Sequence, residues 1–563
     1  MASSLICCNG ARMRYGQNPG RCLLLSVLFI ICLTGLMLLN IHHTDLSSDT
    51  AELAPPLTEE SYSYGIVLDC GSSGTRVYIY FWPPHSGDSH QLLDIDQLKD
   101  KDGKPLSKKK TPGLSTFHTN TSNAAEYLIP LLKFAADVIP NKKHSSTPLY
   151  ILATAGMRLI PKQSADEILD DITRDIPKWF EFQFERSHAE VIPGKTEGMY
   201  AWISLNYMLG RLPHGGHAST EISRQSRQPT VGVIDMGGGS LQIAFEVEKS
   251  KLKNKEKLVT FSLGSADNDP FHTYSLYVTT FLGFGANSAM ARYRQGMVSR
   301  SSVTRVKDNC LALDSTEHVE HEGKQYTLEG TGNVTACMLD IRYLLNQTEK
   351  CSIKPCSLNG VYQPSISSSA NFYGISEYWY STYDVLGLQG QYESQKLLTE
   401  AQNYCGTHWA ENMKKYKDNQ YPHADMERMR VECFKVSWIM TVFHEGLHFS
   451  KRFENFLPVN EIGGEEVQWS LGALIHKTRH LAAKQIQWST HHISNRSSFD
   501  SVSHIIRPYG LAFCFFIVIG AIIIYLKKMN VGSKLKPVPS MSDFMTSADQ
   551  VEQGLIVEKR YYP

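Results

Sequence analysis

A chain of 563 residues has room for two to four domains and a large buried core. Its 56 basic residues balance its 56 acidic ones and form no Lys/Arg-rich patch, which excludes a general electrostatic attraction to nucleic acid. A hydrophobic content of 42% excludes intrinsic disorder as the default state.

The first 21 residues carry Arg12, Arg14 and Arg21 and no acidic group, which predicts a cytosolic tail. Residues 22–41, CLLLSVLFIICLTGLMLLNI, are uncharged and long enough to cross a hydrocarbon core of roughly 30 Å. A cleaved signal peptide is the alternative, disfavoured by the long apolar stretch and the lack of a clean small-residue cleavage site. A polar stem follows at 42–62. At the far end a second stem, 488–505, leads into a second span at 506–526, whose apolar part is GLAFCFFIVIGAIIIYL. Lys527, Lys528, Lys534 and Lys536 then mark 527–563 as another cytosolic tail, so that 42–505 lies on the luminal side. The sequons at Asn120, Asn333, Asn346 and Asn495 all fall in that segment. So do seven of the 12 cysteines. In an oxidising lumen they would form disulfides whose connectivity sequence alone does not fix. Pairing chain neighbours gives Cys310–Cys337, Cys351–Cys356 and Cys405–Cys433, and leaves Cys70 as the odd one out.

Between the stems, strand-like runs (YGIVLDC, RVYIYFW, PLYILATAG, TVGVIDMGG, LQIAFEV) alternate with amphipathic stretches such as 123–139 and 197–210, the pattern of an α/β protein. The polar stretches 214–229 and 248–257 read as surface loops. His42–His43 and His491–His492 lie in the stems without zinc-site spacing and read as solvated residues. Cys7 and Cys8 sit where acylation near a membrane would fall.

Two stretches look like copies of one another: VLDCGSSGTR at 67–76 and VIDMGGGSLQ at 233–242. Each runs from apolar residues through an aspartate into a Gly/Ser turn. Glycine lets backbone N–H groups approach an anion closely, and Ser72, Ser73, Thr75 and Ser240 add hydroxyls for phosphate oxygens. Asp69 and Asp235 stand where a divalent cation on those oxygens would be held, largely through water. Two facing loops make a clamp, which is why one chain would need the device twice. PGKTEG at 193–198 resembles a P-loop but lacks its first glycine, position 189 being Ala. The better reading opens a helix there, with Glu197 near its N-terminus as an ionised acceptor for a proton from attacking water.

The doubled loop resembles the actin-like ATPase superfamily, which implies a two-lobed actin-like (RNase H-like) α/β fold, here between two transmembrane helices. A closer resemblance lies in VLDCGSSGTR (67–76), LATAGMR (152–158), GKTEGMYAWISLNYMLG (194–210), VIDMGGGSLQIAFE (233–246) and VQWSLGAL (467–474). In that order they resemble the five apyrase regions of the ecto-nucleoside triphosphate diphosphohydrolases. The stretches 277–293, 358–364 and 372–385 extend the resemblance over roughly 63–480, and TPLYILATAGMRLIP and SHAEVIPGKTEGMYAWI are most similar to the intracellular, Golgi and lysosomal branch.

The resemblance implies lobe I from 63–193 plus 463–487 and lobe II from 194–462. It implies a Ca²⁺- or Mg²⁺-dependent hydrolase of nucleoside di- and triphosphates favouring UDP-like diphosphates, in a Golgi or lysosomal membrane, with homo-oligomers through the spans left open. Glu197 would be the base, and Ser240 and Gln242 would orient water. Asp69 and Asp235 would attend the metal. Ser72, Ser73, Gly74, Thr75, Arg76, Thr154, Gly237, Gly238 and Gly239 would grip phosphate. The family stacks the nucleobase between two aromatics, which fall on Tyr380 and on Trp438, where relatives more often have Tyr. Two other readings stand beside this one: another actin-like phosphohydrolase such as a polyphosphatase, and a nucleotide-binding protein without catalysis.

Overall fold

The computed structural model describes residues 61–86, 91–214, 227–248, 250, 252–264, 269–481, 519 and 523. Two mixed sheets organise them. The first begins with β1 (Ser63–Cys70) and β2 (Thr75–Trp82), an antiparallel hairpin, followed by β3 (Asp96–Gln97), β4 (Ser107–Lys110), α1 (Ala124–Val138), β5 (Leu149–Ala153), α2 (Ala155–Arg158), α3 (Lys162–Asp175) and β6 (Ala189–Val191). Its strand order is β3-β2-β1-β5-β6, with β4 also on β2. β1, β5 and β6 are parallel to one another, which requires the helical crossovers that α1 and α3 supply. Ile66, Leu68, Val77, Ile79 and Ile151 on one face pack with Leu128, Leu131, Leu132 and Ile168 of α1 and α3 into one core.

After α4 (Gly194–Met208) the scheme repeats. β7 (Gly232–Met236) and β8 (Ser240–Glu246) form a hairpin, with β9 (Leu258–Ser262) and β10 (Thr273–Leu282) on the β8 side. β14 (Phe372–Ser376) and β15 (Phe456–Pro458) run parallel on the β7 side. Between β10 and β14 come α5 (Ala286–Ser299), a small sheet of β11 (Arg305–Asp308), β12 (Thr316–His321) and β13 (Lys324–Gly330), and α6 (Val334–Ile341). α7 (Ser394–Gly406), α8 (Trp409–Lys417) and α9 (Met426–Thr441) follow β14. The repetition reaches the register: Asp69 lies opposite Arg76 in the first hairpin, and Asp235 opposite Gln242 in the second.

α4 is buried almost all round, against β7, β8 and β10 on one side and the helix that begins at 469 on the other, where Tyr200 stacks on Trp469. The same C-terminal helix covers the second face of the first sheet, through Ser470 on the Tyr80 hydroxyl at 2.8 Å and Leu474 against Gly65. The twin hairpins therefore face each other across a pair of packed helices. These elements belong to one of the two units into which the chain divides, 1–86 with 90–480.

The disulfides are Cys310–Cys337, Cys351–Cys356 and Cys405–Cys433, and Cys70 is a free, buried thiol. Asn120 and Asn333 are exposed; the Asn333 side chain also caps α6, accepting from Ala336 N–H. Asn346 is half-buried and its amide donates to Asn359 Oδ1 at 2.7 Å. Asn495, the stem at 488–505, both tails and both apolar runs lie outside the described residues, except for Ile519 and Ile523. Among the described residues no helix is long and apolar enough to cross a membrane.

Candidate active site

The two hairpin turns meet. A Cβ on Gly238 would stand 3.1 Å from Ser72 Oγ, and one on Gly239 would stand 2.7 Å from the Ala155 methyl, so only glycine lets the second turn come this close to the first. Gly237 N–H donates to Ser240 O, and the carbonyls of Gly237 and Gly238 accept from Ala286 and Ser288 at the start of α5, which fixes the second turn. In the first turn Ser73 is exposed and Gly74 buried, and Thr154 N–H donates to Cys70 O, tying the head of α2 to the hairpin.

Asp69 and Asp235 stand at the ends of β1 and β7, and Asp69 Oδ1 and Asp235 Oδ1 are buried without a hydrogen-bond partner. Burial pushes Asp69 up to about 7, opposed by Arg76 and reinforced by Asp235. Burial also pushes Asp235 up to about 6, against a hydrogen bond from the Ser376 hydroxyl. Two orphaned carboxylate oxygens at a phosphate clamp fit a hard divalent cation, whose other ligands would be water and phosphate oxygens. No cluster of three or more His, Cys, Asp or Glu suited to a metal occurs among the described residues.

Glu197, in the first turn of α4, is 7% exposed. Arg158 Nη2 donates to Glu197 Oε2 at 2.5 Å and to Ser240 Oγ at 3.2 Å. Gln242 Nε2 donates to the same Glu197 oxygen at 3.0 Å and to Ser240 Oγ at 2.7 Å. Burial pushes Glu197 up to about 8, against the pull of Arg158, with Asp235 and Asp69 adding to the rise. Gly194 makes the arrangement possible, because a Cβ there would collide with the Arg158 guanidinium and the Thr280 side chain. Arg158, Glu197, Gln242 and Ser240 thus form one hydrogen-bonded network, with Asp69 and Asp235 near enough to bear on Glu197.

Three of the expected site residues have other surroundings in the structure. Thr75 shares the inward face of β2 with Val77 and Ile79, and its hydroxyl lies among Cys70 and Tyr127, inside the core rather than in the clamp. Arg76, on the opposite face, is held by Glu466 at 3.0 Å and the Tyr78 hydroxyl at 3.1 Å, and acts as counter-charge to Asp69. Trp438 is fully buried, its Nε1 donating to Phe284 O at 3.0 Å between the rings of Phe284 and Phe434. In this arrangement both faces of the ring are covered. Tyr380, by contrast, is half-buried, and Arg76 and Glu466 of the first lobe lie close enough to bear on its hydroxyl.

Residues without a predicted role also converge. Arg158 lies in LATAGMR, but nothing in its spacing announces a partner 39 positions on. Ser376 lies near enough to Asp235, and Trp469 near enough to Asp69, to favour the ionised form of each carboxyl.

The model of the GDA1/CD39 (nucleoside phosphatase) family matches residues 56–490. The chain belongs to that family. It is 40% identical over 502 residues to ectonucleoside triphosphate diphosphohydrolase 7 of Xenopus tropicalis, covering 83% of this chain and 82% of the relative. It is 38% identical over 477 residues to the nucleoside-diphosphatase mig-23 of Caenorhabditis elegans, covering 82% and 86%. A crystal structure of nucleoside triphosphate hydrolases from Neospora caninum superposes with a TM-score of 0.52 at 14% identity, over 76% of this chain and 95% of that one. At that identity the likeness speaks for the mixed α/β actin-like fold alone.

Proposed function

We propose that this member of the GDA1/CD39 family is a divalent-cation-dependent hydrolase of nucleoside di- and triphosphates that favours UDP-type diphosphates and releases phosphate and the nucleoside monophosphate. The observation that carries the reading is the Arg158–Glu197–Gln242–Ser240 network beside the orphaned Asp69 and Asp235 oxygens. The terminal phosphoryl group sits between the turns at 71–74 and 237–239. Ser240 Oγ and Gln242 Nε2 hold a water in line with it, and Glu197 accepts that water's proton as the new P–O bond forms and the bond to the leaving nucleotide breaks. A Ca²⁺ or Mg²⁺ near Asp69 and Asp235 supplies neutralisation of the phosphate charge.

The curated relatives include a nucleoside-diphosphatase as well as triphosphate diphosphohydrolases, which supports activity on both substrate classes. The apolar runs at 22–41 and 506–526 and the basic flanks support anchoring by two helices with the site in a Golgi or lysosomal lumen.

Phosphate release by the full-length protein from UDP, GDP, ADP, UTP, ATP and polyphosphate, with Ca²⁺, Mg²⁺ or EDTA, tests the reading beside Glu197→Gln. Cation-dependent release from diphosphates, lowered on the order of 10²-fold or more in the variant, is expected. Release that the variant does not alter would remove Glu197 as the base. No release from any nucleotide would overturn the hydrolase.

A further inference from the structure

Asp69 and Arg76 stand directly opposite each other across the β1–β2 hairpin, so their side chains rise from the same face of the sheet. Opposite charges so placed ordinarily pair with each other. Here they do not. Arg76 Nη1 donates to Glu466 Oε1 at 3.0 Å and to the Tyr78 hydroxyl at 3.1 Å, while Asp69 Oδ1 keeps no hydrogen-bond partner. Glu466 reaches Arg76 from 390 positions along the chain. It stands on β17 (Glu465–Glu466), which pairs with β16 (Glu461–Ile462) through a two-residue turn of Gly463 and Gly464, both at positive φ as a type I′ turn requires. The small hairpin is fastened on two sides: Lys99, just past β3, pairs with Glu465 at 2.9 Å, and Val467 N–H donates to Asn460 O at 2.7 Å. The Arg76 and Glu466 side chains are 29% and 17% exposed, so the solvent that would loosen an ion pair is largely kept from this one.

We propose that Glu466 is a positioning residue for the divalent cation: by holding the Arg76 guanidinium it withholds Arg76 from Asp69 and leaves that carboxylate to the ion. The guanidinium already lies near enough to bear on Asp69. Released from Glu466, it needs only to turn its tip, because a charge-assisted bond would satisfy the orphaned oxygen. Arg76 and the cation would then compete for one carboxylate, and the ion would have to break an internal ion pair to bind. Trp469, three positions after Glu466, lies near enough to favour the ionised Asp69. One short segment at the head of the C-terminal helix therefore both supports this carboxylate and removes its competitor.

The inference rests on the reading of Asp69 as a cation-binding group, and a double-mutant cycle separates the two. The full-length protein, stripped with EDTA, is titrated with Mg²⁺ or Ca²⁺ alone, and affinity is read from the rise in melting temperature without substrate or turnover. Glu466→Gln is expected to weaken binding roughly tenfold, as loss of a group supporting a metal ligand does. Arg76→Gln alone should change it by no more than about threefold, the size of a partly exposed charge effect, because the arginine is already held off Asp69. In the double variant no guanidinium is left to compete, and affinity should return to within about threefold of the unmodified protein. Arg76→Gln thus strengthens binding on the order of tenfold in the Glu466→Gln background and far less by itself. An equal effect of Arg76→Gln in both backgrounds would reduce Glu466 to its charge alone, and a double variant as weak as Glu466→Gln would make Glu466 mere scaffolding; either overturns the inference. No cation-induced rise in the unmodified protein would instead remove the reading on which it rests.

Discussion

Arg158 on α2 donates to Glu197 on α4 at 2.5 Å and to Ser240 on β8 at 3.2 Å, so one side chain of the first sheet's elements joins the proposed base to the proposed water-orienting hydroxyl on the second sheet. Both partners of the ion pair are nearly buried, where a lone carboxylate would protonate. Arg158→Ala is therefore expected to lower kcat for UDP on the order of 10²-fold and to move the acidic limb of the rate–pH profile upward, because the guanidinium that favours ionised Glu197 is gone. Arg158→Lys should recover part of the rate and most of the limb position. A uniform loss of rate with no movement of the limb would assign Arg158 to scaffolding alone.

The three buried carboxyls also give the cation-free protein a pH-dependent stability. Burial raises Asp235 to about 6, Asp69 to about 7 and Glu197 to about 8, each above its unfolded value. A carboxyl raised on folding favours the native state at low pH, and that contribution is lost as pH rises through the folded value. In EDTA the melting temperature should fall from about pH 4, the unfolded carboxyl value, to about pH 8, by at least about 5 °C and most steeply at the acidic end where all three carboxyls contribute. Saturating Ca²⁺ or Mg²⁺ should flatten the slope, and cation affinity should strengthen with pH, because the ion takes the ionised carboxylates. Equal slopes with and without cation would separate the aspartates from any metal site.

The expected aromatic partner of Tyr380 gives a third test. Trp438→Phe keeps an aromatic ring in the core but removes the bond from Nε1 to Phe284 O. It should cost about 1–3 kcal/mol in a denaturant titration and leave KM for UDP and ATP unchanged. A base-dependent rise in KM would return Trp438 to the nucleotide.

What sequence conveys well here is local and repetitive. VLDCGSSGTR and VIDMGGGSLQ each carry apolar strand, aspartate and glycine turn within ten residues, so the duplicated hairpins and the Asp69/Asp235 pair were legible. The positions of Thr75 and Arg76 turned on which face of β2 each side chain takes, and a strand buried on both faces has no polar alternation to mark it. Trp438 and Arg428 are ten positions apart on the same helix, yet Trp438 packs between Phe284 and Phe434 in the core while Arg428 lies over the Tyr380 ring, which spacing alone does not decide. Arg158 was hidden for another reason: its partners lie on α4 and β8, 39 and 82 positions on, and a contact between elements so far apart leaves no periodicity in either.

Ser376 joins backbone strain to the proposed metal site. It ends β14 at φ 59°, ψ −119°, a conformation that suits glycine, and its hydroxyl lies near enough to Asp235 to favour the ionised carboxylate. A non-glycine residue held there costs on the order of 1–3 kcal/mol. Ser376→Gly and Ser376→Ala both lose the hydroxyl, and both should weaken divalent-cation binding by about 10–100-fold, as loss of a ligand-positioning bond does. They should part company in stability. Glycine adopts positive φ freely whereas alanine keeps the strain, so in EDTA Ser376→Gly should melt above Ser376→Ala by an amount equivalent to about 1 kcal/mol. Cation titration followed by thermal melting reads both effects without relying on turnover. Equal stability of the two variants would remove the strain, and unchanged cation affinity in both would remove the positioning role of Ser376.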